Sequence, residues 1–63
     1  MAQAEWQKLA NDCQSIINDM TKITENPNSP PQDQNDARWV ISEMQLILRR
    51  LQVTYNVMPQ VEK

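Results

Sequence analysis

The apolar residues of this chain fall into two stripes, each repeating every seven positions. Between Ala2 and Thr24 they are Trp6, Leu9, Ala10, Cys13, Ile16, Ile17, Met20 and Ile23. With Trp6, Cys13 and Met20 labelled a of a heptad, Leu9, Ile16 and Ile23 fall at d, and Ala10 and Ile17 at e. Strand alternation would put Trp6 and Leu9 on opposite faces, so the pattern predicts an amphipathic helix. Between Pro30 and Val57 the same code recurs, continuing to Met58. Ala37, Met44, Leu51 and Met58 stand at a; Val40, Ile47 and Thr54 at d; Ile41, Leu48 and Tyr55 at e. Two stripes written in one code predict two helices that face each other.

The segment between them is Glu25-Asn26-Pro27-Asn28-Ser29-Pro30-Pro31. Pro27 disfavours helical geometry at Asn26 and so should end the first helix. Ser29 with Gln32 three residues on, and Pro30 between, reads as a capping box with proline at the first helical position. A turn this short makes the helices antiparallel. Met58-Pro59 should close the second helix. The expected organisation is a single hairpin over residues 1–58, with a helix over about 2–25, a turn at 26–29, a helix over about 30–58, and a frayed tail at 59–63. Asp33 and Asp36 near the start of the second helix, and Lys22 and Arg49-Arg50 toward the helix ends, suit the helix dipoles.

Pairing Trp6 with Leu51 sets Cys13 level with Met44 and Met20 with Ala37. Two helices cover each stripe from one side only, which leaves the e row (Ala10, Ile17, Ile41, Leu48, Tyr55) as an exposed apolar strip. The fold class expected is therefore all-α: a two-helix hairpin that assembles into a helical bundle, a four-helix dimer first, with the e row as the oligomer interface.

Length supports the same reading. At 63 residues the chain is in the range that usually needs a disulfide, a metal or oligomerisation to be stable. Cys13 is the only cysteine and there is no histidine, so the first two staples are not expected. Without histidine the commonest general base is missing, and without glycine no phosphate-cradling glycine loop can form. No catalysis, no cofactor and no metal are expected. A net charge of −2 argues against a general nucleic-acid binder. The opening Met1-Ala2-Gln3-Ala4-Glu5 has no basic n-region and no apolar h-region follows it, so neither a secretory leader nor a membrane span is expected. A lone thiol then fits a reducing, cytoplasmic setting.

Four surface features bear on function. Trp39, Leu46 and Val53 form a second apolar row on the second helix, roughly 100° beyond d. It is read as a partner surface, covered by a further subunit or by another protein. Glu5, Asp12, Asp19, Asp36 and Glu43 occupy position g, where the register above brings Asp12 near Glu43, Asp19 near Asp36 and Glu5 near Arg50. This row is either a solvated ridge balanced by Lys8 and Lys22 or a negative strip for a basic partner. Arg38, Arg49 and Arg50 read either as solvated arginines covering apolar neighbours or as candidates for anion contact. Cys13, at a core position, reads as a buried inert thiol.

The architecture resembles the plasmid RNA-binding Rop hairpin, whose dimer is a four-helix bundle. The turn Pro27-Asn28-Ser29-Pro30 resembles the Pro-bounded turn of type III secretion needle subunits. Neither resemblance matches residue by residue, so no site is transferred. The function expected is a non-enzymatic, homo-oligomeric protein–protein interaction module, such as an adaptor, an accessory subunit or a phage- or plasmid-type inhibitor. The alternatives are a Rop-like regulator using the arginines on RNA or a nucleotide, and a secretion-type hairpin subunit or chaperone.

Overall fold

A computed structural model of the chain describes residues 3–60. The expected helix start at residue 2 and the last residues of the tail, 61–63, lie outside the described residues. Two helices, α1 (Gln3–Glu25) and α2 (Pro31–Tyr55), pack antiparallel against each other. The molecule measures 41 × 24 × 14 Å. A helix with its side chains is about 10–12 Å across, so this is a single layer two helices wide, and its small core lies in the seam between them.

Asn26 organises the turn. Its side-chain oxygen accepts from the Asn28 backbone N–H at 2.9 Å, and its carbonyl accepts from the Ser29 N–H at 3.1 Å. The expected Ser29–Gln32 capping box does not form. The N-cap is Pro30, with φ −57° and ψ 148°, and no side chain caps it. The reason is local: Pro31 excludes helical geometry at the residue before it, so Pro30 stays extended and the helix begins one position later than the box requires. Gln34 braces the turn in a different way, its side-chain amide donating to the carbonyls of Asn26 (3.3 Å) and Ser29 (3.1 Å).

α2 ends at Tyr55, not at Met58, because Asn56 turns left-handed (φ 55°, ψ 38°). Its N–H donates to the Gln52 carbonyl at 3.0 Å, and the Val57 N–H donates to the Leu51 carbonyl at 3.5 Å, so two of the last carbonyls of the helix are satisfied by the left-handed cap. The chain contains no glycine, and asparagine is the next residue able to adopt this conformation at low cost. The reversal drops Val57 into the core and leaves Met58, expected at a core position, exposed. Nor is the start of the tail frayed. The Gln7 side-chain amide donates to the Met58 carbonyl at 2.6 Å, and the Gln60 N–H donates to the Asn11 side chain at 2.8 Å.

The buried residues are Ala10, Cys13, Ala37, Leu51 and Val57. Trp6 and Leu48 pack against the cluster of Ala10, Leu51 and Val57. The helices therefore meet along rows a and e, so the e row lies partly inside the hairpin and not wholly outside it as expected, with Tyr55 still 37% exposed. Ala10 is fully buried, Leu48 lies against the core, Ile17 and Ile41 are half-buried, and Tyr55 stacks on Trp6. Small side chains decide this. Ala10, Cys13 and Ala37 let the backbones approach, whereas Leu9, Ile16 and Ile47 at the contact would hold them apart. The Trp6–Tyr55 stack also sets Trp6 one turn beyond Leu51, its expected partner.

Candidate interaction surfaces

With the contact centred between a and e, row d lies about 80° to one side of each helix and row b about 80° to the other. In an antiparallel pair, rows displaced to the same hand share a face. The b rows do so visibly: the tail crosses them, bonding to Gln7 and Asn11 of α1 and lining a groove with Gln45 and Gln52 of α2. That face is polar. The opposite face carries the d rows and is apolar. Leu9, Ile16 and Ile47 are 40, 39 and 38% exposed on it, and Ile23 and Val40 are half-buried. The hairpin leaves this d face uncovered, whereas of the e row only Tyr55, 37% exposed, stays comparably open.

The second uncovered surface is the back of α2. Trp39, Leu46 and Val53 are 67, 58 and 80% exposed. Leu46 and Val53 line an open groove with Arg49 and Arg50. These two arginines flank the row. Arg38 lies about three turns away along the axis, its guanidinium donating to the Asn35 side chain at 3.3 Å. The three arginines considered for anion contact therefore do not converge on one site.

The acidic residues at g do not confront one another across the helix contact. Rotation of the contact to a and e carries the g rows outward, where Glu5, Asp12 and Asp19 edge the d face on α1, and Asp36, Glu43 and Arg50 edge it on α2. Among the described residues one ion pair forms, Lys8–Asp12 at 2.9 Å on the surface. Glu5 and Arg50, expected near each other, do not pair. No group of three or more His, Cys, Asp or Glu side chains among the described residues could hold a metal ion. No helix of the described residues is long and apolar enough to cross a membrane. Cys13 is buried, and that burial, with the Asp12 carboxylate second, pushes its thiol pKa up. A thiol held protonated is a poor nucleophile.

Heptad periodicity alone did not single out the clasp formed by Gln7, Asn11 and the tail, nor Val57 as a core residue. The available signal was Asn56, a residue suited to a left-handed cap in a chain that lacks glycine. Comparison with protein-family models, with curated proteins and with solved structures finds no match to this chain.

Proposed function

We propose that the hairpin is a non-enzymatic protein–protein interaction module that acts as a homo-oligomer, with a dimer as its first assembly. The observation that carries the reading is the row Trp39, Leu46 and Val53. Its side chains are more than half exposed, while the hairpin builds its own core without them. Tryptophan in such a row is a favoured interface anchor.

The row is symmetric about Leu46, which suits a two-fold, antiparallel pairing of α2 with α2 of a second copy. Trp39 then meets Val53 of the other copy, and Glu43 comes beside Arg50 of the other copy, twice by symmetry. A parallel pairing would instead set Arg50 of each copy against Arg49 of the other, with like charges opposed. The result is a four-helix assembly with the two α2 helices at its centre. The reading involves no catalytic step and no cofactor, and a cytoplasmic setting suits the lone thiol.

Molar mass in solution tests it. A dimer or larger assembly is expected at tens of micromolar, with a melting temperature that rises with concentration. Trp39→Ala with Leu46→Ser should reduce the mass to that of one chain while the helix content persists. Glu43→Arg should weaken the dimer, and Arg50→Glu in the same chain should restore it. A folded monomer at tens of micromolar overturns the proposal.

A further inference from the structure

We infer that the d face of the hairpin is a docking surface for a basic amphipathic helix of another protein. The inference rests on the interaction-module reading and names the partner that the second open surface would take. Its apolar centre is Leu9, Ile16 and Ile47, with Ile23 and Val40 partly covered beside them. This is the form of surface that receives the apolar stripe of an added helix.

Charge selects the occupant. Glu5, Asp12 and Asp19 run along the α1 edge of the face. Asp36 and Glu43 run along the α2 edge, and Asp33 stands in the d row itself at the first turn of α2. These are six of the chain's eight acidic residues, against two of its six basic residues, Lys8 and Arg50. Lys8 also reaches the α1 edge, lining a shallow groove with Glu5, Leu9 and Asp12 and pairing with Asp12, while Lys22 lies a row further back, so the carboxylates still outnumber the cations around the face. A net charge of −2 for the whole chain thus conceals a strongly segregated distribution. A second copy laid on this face would oppose carboxylates to carboxylates along both edges. Phosphate-bearing partners, nucleic acid or anionic lipid, would be repelled in the same way. An added helix with leucine-like residues on one side and lysine or arginine beside them satisfies both the centre and the edges.

The test uses the full chain and a labelled peptide of about three heptads with leucine at a and d and lysine elsewhere. The comparison peptide has glutamate in place of lysine. Binding is followed by fluorescence anisotropy at two salt concentrations. The lysine peptide should bind and the glutamate peptide should not, and added salt should weaken the complex. Asp12→Asn, Asp19→Asn and Asp36→Asn together should weaken binding about tenfold, as expected if each contact contributes about what an exposed ion pair does. Ile16→Ser with Ile47→Ser should abolish it at unchanged helix content, while Trp39→Ala with Leu46→Ser should leave it intact. Equal binding of both peptides, or no response to the neutralised carboxylates, overturns the inference. So does a fall in the free protein's molar mass on Ile16→Ser with Ile47→Ser, because a second copy would then cover the face. If neither peptide binds yet the protein is a Trp39-dependent dimer, this inference fails and the module reading stands. A folded monomer that binds neither peptide overturns both.

Discussion

The rings of Trp6 and Tyr55 stack nearly parallel, their centroids 3.9 Å apart and their planes 15° from one another. This contact joins the first turns of α1 to the last turn of α2, at the end of the hairpin opposite the turn, where the Gln3 side-chain amide also donates to the Tyr55 carbonyl at 3.3 Å. Trp6 also leans on the cluster of Ala10, Leu51 and Val57. Trp6→Ala should cost about 2–3 kcal/mol, toward the low end for a large aromatic because Trp6 is half-buried. Tyr55→Leu should cost about 1 kcal/mol, the scale of an aromatic pair beyond its buried area. Urea unfolding of the two variants and their near-ultraviolet dichroism check both values. Equal stability of Tyr55→Leu and the parent would show that the stack contributes nothing beyond apolar burial.

At the turn the order of sensitivity is the reverse of what a capping box requires. Ser29→Ala should change stability by less than about 0.5 kcal/mol, because the serine side chain caps nothing. Gln34→Ala should cost about 1 kcal/mol, since its amide holds the carbonyls of Asn26 and Ser29. Chemical denaturation of the two variants side by side decides the matter, and a larger loss for Ser29→Ala would restore the serine cap.

The end of α2 depends on one backbone conformation. Asn56→Gly should be neutral or slightly stabilising, whereas Asn56→Val should cost about 1–2 kcal/mol, the penalty for an ordinary residue in the left-handed region. Val57→Ala should cost about 1.5 kcal/mol for two buried methyl groups. Hydrogen exchange at the Gln60 N–H, which donates to Asn11, should accelerate in Asn56→Val as the tail lifts. Unchanged exchange there would mean that the tail is held without the cap.

Cys13 supplies a reporter of global opening. The folded state raises the thiol pKa by burial and, secondarily, by the Asp12 carboxylate. A raised pKa means that the folded form prefers the protonated thiol. Its contribution to stability is complete below the ordinary thiol range and is lost as pH rises through the raised value. Stability should therefore decline in alkaline solution, and Cys13→Ala should flatten that decline. Labelling of Cys13 by a disulfide reagent at mildly alkaline pH should be slow in the native protein and fast in urea. Equally rapid labelling of the native protein would show the thiol to be accessible.

Much of the local structure was readable in the residues alone. The seven-residue repeat beginning at Trp6 excludes strands because its steps fit only a helical period. Pro27 stops α1 through sterics confined to its neighbours, and the short turn leaves no geometry but an antiparallel one. The rotation of each helix about its own axis was not readable in this way. The stripe spans rows a, d and e, which is wider than two helices can bury between them, and apolar pattern does not rank the three. Close packing ranks them: Ala10, Cys13 and Ala37 admit a near approach, so a and e turn inward while Leu9, Ile16 and Ile47 are left on an outer face edged by carboxylates. The tail is a second case. Pro59 in the sequence marks where helix must have ended, but only the tertiary fold rewards an earlier end at Asn56, because the reversal there brings Val57 against Ala10 and Leu51, a contact between residues far apart in the chain.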